Sequence, residues 1–346
     1  MINELGNQSE NVPMKRKVFH VLALSGGGYR GLYTATILRH LEEVLGHPIA
    51  RNFDLVCGTS VGGMLAMGLA GEIPAEKLQA MFEKDGARIF NSQNLLRRFT
   101  GFLISAKHSN SGLREVLMET FGDITIGHLR HRVLVPTVNY STGRGQFFKT
   151  PHNPAFELDQ KMSLVDVALA TSAAPVYFPI VRNARGAFVD GGLVGNAPGL
   201  FGLHEVKTFL APGEDITVRV LSIGTMTNGS TMPGGTNLDR GFFQWRDSLF
   251  NLVISAQESS VDYMLRQALG DDYLSLDEKP TPEQSNDIKK LDVVSVAATN
   301  TLKDRAMFTF QRTLGDPKFQ PFRNHIAAKP IFYHGPNKNY EGVNKC

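Results

Sequence analysis

At the start of this chain, the apolar residues first follow the pattern of a strand and then that of a helix, and this order occurs twice. The run Val18–Leu24 is largely apolar and rich in strand-forming residues, and it ends at a cluster of small residues. Apolar positions then recur at helical spacing from Leu32 to Leu45. The same order of strand, glycine turn and helix returns at Phe53–Cys57 and Met64–Leu69. Two such units in tandem predict a parallel sheet with connecting helices.

The rest of the pattern predicts a mixed sheet with helices on both faces. The later elements are strands at 132–140, 145–149, 187–189 and 217–223, and helices within 74–121 and at 164–171, 242–269 and about 287–313. Residues 224–241 form a glycine-rich polar loop, of the kind that is usually a lid or a binding segment. The C-terminal residues contain prolines and no sustained periodicity. We therefore expect an α/β fold, with a polar tail at 1–17, one domain at 18–315 and a wrapping tail at 316–346.

Composition and charge exclude several classes of protein. Of the 346 residues, 42% are hydrophobic and 20% are charged, which excludes a disordered or fibrous chain. The formal net charge of +3 includes no basic block, so nucleic acid is not an expected partner. Cys57 and Cys346 cannot form a disulfide framework, and the polar N-terminus carries no export signal, which together predict a cytoplasmic protein. The uncharged run Leu55–Gly71 contains five glycines, and we interpret it as buried core rather than a membrane span.

A serine lies in the turn between the second predicted strand and its helix. The segment Gly58–Gly62 fits the motif G-x-S-x-G, in which flanking glycines allow the strained turn that exposes a serine nucleophile. Ser60 also fits a simpler role, as the N-cap of a tight turn between strand and helix. The position of the motif between an apolar strand and an apolar helix favours the nucleophile.

Glycines also follow the first predicted strand. The backbone amides of Gly26, Gly27 and Gly28, at a helix N-terminus, are able to bind an anion or a developing oxyanion. The segment 26–31 also matches the dinucleotide fingerprint G-x-G-x-x-G, and its glycines equally fit a packing role between helix and strand. A dinucleotide site needs an acidic residue at the end of the second strand, whereas Asp54 lies at the beginning of one. A Walker motif is excluded because no G-K-[ST] follows.

Two residues are candidates for the base that a serine nucleophile needs. His204 has the expected order in the chain, but it lies in an apolar helical stretch, and we interpret it as a packed or surface residue. Asp190 ends a predicted strand and precedes two glycines, so its carboxylate could meet Ser60 across adjacent strand ends. An Asx-type turn would give the same D-G-G sequence. No cluster of Cys, His or carboxylate residues has the spacing of a metal site, so no metal is expected.

Several motifs together carry a resemblance to a known family. They are G-G-G-x-R-G at 26–31, G-T-S-V-G at 58–62, the segment 170–178, D-G-G at 190–192 and the Asn-x-Pro at 196–198. In this order they resemble a patatin-like phospholipase, and the resemblance covers about residues 18–315. It implies a patatin-like three-layer α/β/α fold with a central, mostly parallel mixed sheet and a nucleophile elbow.

The resemblance also implies roles for particular residues. Ser60 would be the nucleophile, and Asp190 would be its partner in a Ser–Asp dyad. The amides of Gly26–Gly28 would form the oxyanion hole, and Arg30 would brace that loop. The implied reaction is hydrolysis of the ester-linked acyl chains of membrane phospholipids, without a required cofactor.

In overall layout the chain is most similar to the cyclic-nucleotide-activated patatin-like effectors of bacterial anti-phage (CBASS) signalling. This similarity implies activation by a cyclic oligonucleotide such as cyclic GMP-AMP and action at the inner face of the cell membrane during phage infection. It is compatible with a homo-oligomer, and it assigns no residue to a nucleotide pocket. Three alternatives stay open: a nucleotide-sensing module in which 26–31 holds phosphate, a lipase without nucleotide control, and a storage protein that retains the dyad.

One further segment pairs apolar bulk with cations. Residues 95–104, with Lys107 after them, contain leucine, phenylalanine and isoleucine beside Arg97 and Arg98. Such a segment fits contact with a membrane surface. An amphipathic helix that packs on the sheet would have the same pattern, and we favour this second interpretation.

Overall fold

The computed structural model describes residues 16–90, 106–227, 238–239, 242–288 and 290–341. Its strands are β1 (Lys17–Leu24), β2 (Leu55–Gly58), β3 (Val133–Asn139), β4 (Arg144–Lys149), β5 (Val181–Asn183), β6 (Gly186–Val189), β7 (Ile216–Ile223) and β8 (Tyr273–Leu276). Its helices are α1 (Gly31–Leu45), α2 (Val61–Ala70), α3 (Ala75–Ile89), α4 (Asn110–Phe121), α5 (Leu164–Thr171), α6 (Gly192–Gly195), α7 (Gly199–Glu205), α8 (Phe242–Leu269), α9 (Pro282–Ser285), α10 (Val296–Gly315) and α11 (Gln320–Arg323).

The strands form one mixed sheet. Hydrogen bonds link them in the order β5-β6-β3-β2-β1-β7-β8, and β4 pairs with β3. The central strands β3, β2, β1, β7 and β8 run parallel. The pairings of β4, β5 and β6 are antiparallel. The prediction of an α/β fold with a mostly parallel mixed sheet is therefore confirmed.

Two strands of this sheet approach each other along one edge of β3. The opposite edge is covered by β4, which pairs with β3 from Leu134 to Asn139. On the shared edge, β2 pairs in parallel with the first part of β3, where Cys57 lies opposite Leu134. β6 pairs antiparallel with the last part of β3, where Val189 lies opposite Val138. Since β2 and β6 run toward each other, the residues that follow their ends meet beside the middle of β3.

Apolar side chains cover both faces of the sheet. Along β1, successive side chains point to opposite faces of the sheet. Leu22 and Leu24 belong to the larger core, which includes residues of α1 to α5 and α10. Phe19, Val21 and Ala23 belong to a second core, which includes residues of α7 and α8. The sheet is therefore the middle layer of a three-layer α/β/α arrangement, as the resemblance implied.

The hydrophobic pattern did not predict two strands and misplaced the start of one helix. β5 has three residues, two of them Arg182 and Asn183, and β8 has four. Neither is long enough to show an alternating pattern, and β8 is fixed by its backbone pairing with β7. The helix expected at about 287–313 begins at Val296, because the side chain of Ser295 caps it by accepting a hydrogen bond from the Ala298 amide.

Residues after α10 contact the surface of the α/β core. The side chain of Asn52 donates to the carbonyls of Phe322 and Arg323, both over 3.1 Å. The Tyr333 amide donates to Pro151 O over 2.8 Å. The division into a domain at 18–315 and a wrapping tail at 316–346 stays a prediction.

The sequence raised two questions about membranes: whether the run Leu55–Gly71 is a span, and whether residues 95–104 contact a membrane surface. Among the described residues, no helix is both long and apolar enough to cross a bilayer. The segment 95–104 lies outside the described residues. Lys107, which follows it, is described and forms an ion pair with Asp292.

Candidate active site

Ser60 has a strained backbone conformation between β2 and α2. Its φ of 54° and ψ of −124° are values that residues with a side chain rarely adopt. Hydrogen bonds to two neighbouring elements, α5 and β1, hold the turn in place. The Ser60 amide donates to Thr171 Oγ1 over 3.0 Å, and the Thr59 amide donates to Leu24 O over 3.1 Å. This is the strand-to-helix turn that a G-x-S-x-G nucleophile requires.

The two glycines that flank Ser60 are required by close backbone contacts. A Cβ at Gly58 would lie 2.1 Å from Gly62 O, and a Cβ at Gly62 would lie 2.2 Å from Leu24 O. Both distances are far below van der Waals contact, and backbone atoms cannot move aside easily. The spacing of the motif therefore follows from the close packing of α2 against β1 and β2.

Asp190 meets Ser60 at the end of β6. The Ser60 hydroxyl donates to Asp190 Oδ2 over 2.9 Å, and the Gly192 amide donates to Oδ1 over 2.6 Å. A Cβ at Gly191 would lie 2.2 Å from Pro136 O, so this position also requires glycine. The sequence suggested a meeting across adjacent strand ends, and the ends of β2 and β6 do lie next to each other. They abut end to end on one edge of β3, because β6 runs antiparallel to it.

Burial changes the proton affinity of Asp190. The residue is only 3% exposed, and desolvation raises the pKa of its carboxyl to about 7, against the opposing hydrogen bonds from Gly192 and Ser60. A carboxylate with an ordinary pKa of about 3.9 is a weak base for a serine hydroxyl. A base with a pKa near 7 is matched to neutral pH. The environment of Asp190 thus supplies basicity that its residue type lacks.

Two backbone amides beside Ser60 have no hydrogen-bond acceptor among the described residues. They belong to Gly27 and Gly28, which line the same cavity as Ser60. The Gly26 amide is occupied, since it donates to Asn196 O over 3.1 Å. Gly28 has a φ of +59°, which glycine adopts without a steric penalty. An oxyanion hole at this loop therefore rests on Gly27 and Gly28 and not on all three glycines.

Arg30 and Asn196 brace the glycine loop. Arg30 is buried and its Nε donates to Gly27 O over 3.4 Å. Asn196 Nδ2 donates to Gly26 O over 3.0 Å and to Glu258 Oε1 over 2.6 Å. Burial lowers the pKa of Arg30 and raises the pKa of Glu258, and the opposite charge of each residue counteracts this effect on the other. In the described part of the chain, Arg30 contacts the loop backbone without lining the cavity.

An apolar cavity lies beside the Ser60–Asp190 pair. Its walls include aliphatic and aromatic side chains from several helices, among them Met64, Phe82 and Leu113. Such walls suit a fatty acyl chain. The cavity volume is about 50 Å³, whereas small-molecule sites typically measure roughly 300–1,000 Å³. In this structure the cavity is therefore smaller than a typical small-molecule site.

The other candidate residues lie elsewhere. His204 is exposed on α7, and among the described residues it has no hydrogen bond with Ser60. Asp54 lies at the beginning of β2, where its carboxylate accepts from the His20 amide over 2.8 Å. An acid at that end of the strand is remote from a ligand held by the loop 26–31, so a dinucleotide site would lack its ribose partner.

The sequence did not reveal most residues that hold the site in place. Thr171 supports the Ser60 turn, and Thr225 Oγ1 donates to Gly26 O over 2.9 Å. Glu258 acts on the loop through Asn196. Thr171 and Asn196 lie in segments that carried the resemblance, at 170–178 and 196–198, but the sequence assigned neither of them a contact. Thr225 and Glu258 belong to no short motif, so the sequence carried no signal for them.

Comparison with known families agrees with this geometry. The profile of the family described as Patatin-like phospholipase matches residues 22–200, a region that contains the glycine loop, Ser60 and Asp190. The chain belongs to the patatin-like phospholipase family. The motifs that carried the resemblance all lie within the matched region.

Several curated proteins are similar to this patatin-like chain over most of its length. A cGAMP-activated phospholipase from Pseudomonas aeruginosa is 70% identical, over 93% of this chain and 96% of the relative. A cGAMP-activated phospholipase from Vibrio cholerae is 35% identical, over 90% of this chain and 97% of the relative. A cUMP-AMP-activated phospholipase from Escherichia coli is 25% identical, over 90% and 93% respectively.

Proposed function

We propose that this patatin-like protein is a phospholipase A-type serine acyl hydrolase with Ser60 as nucleophile and Asp190 as base. The observation that carries the proposal is the 2.9 Å hydrogen bond from the Ser60 hydroxyl to Asp190, at the wall of an apolar cavity. The free amides of Gly27 and Gly28 beside it support the same chemistry. A sensing module in which the glycine loop holds phosphate would leave the hydrogen-bonded pair without a role.

In the first half of the reaction, Ser60 becomes acylated. Ser60 Oγ attacks the ester carbonyl of a phospholipid, and its proton passes to Asp190 Oδ2. The amides of Gly27 and Gly28 then donate to the carbonyl oxygen, on which negative charge develops. The N-terminus of α2 adds a favourable dipole at the same place. The alcohol part takes the proton from Asp190 and leaves as lysophospholipid, with the acyl group on Ser60.

In the second half, water releases the acyl group. Asp190 accepts a proton from the water molecule as its oxygen attacks the acyl carbonyl, and the proton returns to Ser60 Oγ when the fatty acid leaves. One carboxylate thus serves both half-reactions. A pKa of about 7 allows Asp190 to accept and to return a proton near neutral pH.

We also propose that a cyclic oligonucleotide activates the enzyme, with cyclic GMP-AMP as the first candidate. Relatives that are 70% and 35% identical along nearly their whole length are described as cGAMP-activated. The small volume of the cavity, about 50 Å³, is consistent with such control if the activator binds a state in which the cavity is wider. A ligand that binds the wider state more tightly would increase its population. The phospholipid substrate would then be attacked at the inner face of the cell membrane during phage infection.

The test is hydrolysis of a fluorogenic phospholipid in vesicles by wild type and Ser60→Ala. Each protein is assayed alone and with a panel of cyclic di- and trinucleotides that includes cyclic GMP-AMP and cyclic UMP-AMP. Ser222→Ala is the matched control, since Ser222 and Ser60 are each 9% exposed, but Ser222 lies within β7. We expect hydrolysis that requires a nucleotide and Ser60 and does not require Ser222.

Each other outcome selects a different function. Hydrolysis without nucleotide would indicate a lipase without nucleotide control. Full activity in Ser60→Ala would refute the assignment of the nucleophile. Absence of hydrolysis under every condition would favour the sensing module.

A further inference from the structure

An ionic cluster lies at the wall of the active-site cavity, with two buried members and one half-buried lysine. Asp292 Oδ2 accepts a hydrogen bond from His108 Nε2 over 2.8 Å and forms an ion pair with Lys107 Nζ. Asp292 is 8% exposed and lines the cavity, and His108 is 2% exposed. We call Lys107, His108 and Asp292 the 107–108–292 cluster. Asp292 lies outside the region that the family profile matches.

Stability alone does not explain this cluster. A buried ion pair contributes little net stability compared with apolar side chains of similar volume. Burial opposes ionisation of Asp292, but hydrogen bonds from His108 and Lys107 lower its pKa to about 2, so the carboxylate is charged at neutral pH. No described residue forms a hydrogen bond with its buried Oδ1. Besides any contribution to stability, the cluster holds the backbone on each of its two sides.

On one side, the cluster is anchored to the segment after α5. The Lys107 amide donates to Val176 O over 2.9 Å, and the His108 amide donates to Tyr177 O over 2.8 Å. The same segment holds the base, because the Asp190 amide donates to Ala173 O over 3.0 Å. Val176 has a φ of 76°, a left-handed conformation that is sterically unfavourable for a β-branched residue. The strained residue, Val176, is therefore the one whose carbonyl accepts the hydrogen bond from the Lys107 amide.

On the other side, the cluster holds the peptide that supports the glycine loop. Leu291 precedes Asp292, and its carbonyl accepts a hydrogen bond from the Tyr29 amide over 2.8 Å. A Cβ at Gly28 would lie 2.3 Å from Leu291 O, so the two backbones are in direct contact. Leu291 O therefore holds the Gly28–Tyr29 peptide, which is joined through the Cα of Gly28 to the peptide that carries the free Gly28 amide.

We propose that Asp292 is a positioning residue for the oxyanion loop, that it acts through Leu291, and that Lys107 and His108 hold it in place. The inference rests on the proposed function, which assigns the Gly28 amide to the oxyanion. A displacement of about 1 Å at a catalytic group can lower the rate about 100-fold. Binding of an acyl chain in the apolar cavity does not depend on that amide. Loss of the cluster should therefore lower kcat and leave KM nearly unchanged.

The test compares Asp292→Asn, Lys107→Met and the double variant with wild type. Each protein is assayed on a soluble p-nitrophenyl ester, with and without the cyclic nucleotide panel, and its thermal unfolding is measured. Glu205→Gln is the matched control, because Glu205 is buried and paired with Lys149 over 2.6 Å and with His152 over 3.0 Å, yet it does not line the cavity. Lys107→Arg, which keeps the charge, serves as the conservative variant.

We expect kcat of Asp292→Asn to fall roughly 10–100-fold, with KM changed by less than about threefold. The double variant should be no slower than Asp292→Asn, because residues that act as one unit are not additive. Lys107→Arg should retain most of kcat, and Glu205→Gln should keep kcat even where its melting temperature falls.

Three results would overturn the inference. They are wild-type kcat in Asp292→Asn, higher hydrolysis in that variant than in wild type, and an equal loss of kcat in Glu205→Gln at the same melting temperature. Absence of Ser60-dependent hydrolysis in wild type would instead overturn the proposed function, and the inference with it.

Discussion

Replacement of Asp190 by asparagine is expected to stabilise the fold at alkaline pH while it abolishes hydrolysis. Burial raises the pKa of Asp190 from 3.8 to about 7 in the folded protein. Between these two pH values the unfolded chain releases the proton and the folded protein keeps it, so stability falls as pH rises. Each pKa unit corresponds to about 1.4 kcal/mol, so ionised Asp190 destabilises the fold by about 4 kcal/mol above pH 7. Asparagine has no ionised form and avoids this penalty.

The assay is urea unfolding of wild type and Asp190→Asn across this pH range. The free-energy difference between the variant and wild type should widen by about 3 kcal/mol between about pH 5 and about pH 8. Changes in packing contribute equally at each pH, so the widening reports ionisation of Asp190 alone. A difference that does not depend on pH would refute the reasoning.

A second carboxylate gives a control of opposite sign. Burial opposes ionisation of Asp292, but hydrogen bonds from His108 and Lys107 lower its pKa to about 2. Its charged form therefore stabilises the fold above a pH of about 4, and this contribution is lost as pH falls toward 2. Asp292→Asn should lose stability relative to wild type at neutral pH and recover toward wild type in acid.

Three further predictions concern activity. The proposed base Asp190 accepts a proton only when it is ionised, so kcat/KM on a soluble ester should rise as pH rises through about 7. A profile already level at pH 5 would contradict this. A Cβ at Gly27 would lie 2.2 Å from Thr225 Oγ1, so Gly27→Ala should lower kcat by about 10²–10³. Gly315→Ala, where no atom lies within 4 Å of the added Cβ, should keep wild-type kcat. Because Ala174 lines the cavity, Ala174→Phe should shift the preference from long to short acyl chains in p-nitrophenyl ester assays, and an unchanged ratio would argue against an acyl pocket there.

Local pattern predicted the elements whose own residues determine their structure. β1 and β7 each have eight residues, and their apolar character is visible without any partner. Tyr273–Leu276 forms β8 because β7 offers it a free edge, and this pairing is a property of the folded sheet. The same limit applied to Ser60 and Asp190, whose meeting point on one edge of β3 depends on the antiparallel direction of β6.

Glycine spacing predicted the turns of the site but not its electrostatics. A glycine beside Ser60 or Asp190 marks a place where only a hydrogen atom fits, and this constraint is visible in a short motif. The raised pKa of Asp190 depends on what surrounds it in three dimensions. Likewise, the Gly26 amide is occupied by Asn196, which lies 170 positions later in the chain. No local pattern reports such contacts.

The meeting of two opposed strands on β3 has a consequence for the order of synthesis. Ser60 and Asp190 are separated by 130 positions, so at ribosomal rates Ser60 is made roughly 10 s before its partner. A nascent chain or a fragment that ends before Asp190 contains Ser60 but lacks the carboxylate that accepts its hydrogen bond. If the proposed dyad is correct, the ribosome itself delays lipid hydrolysis until β6 has been made and has docked against β3.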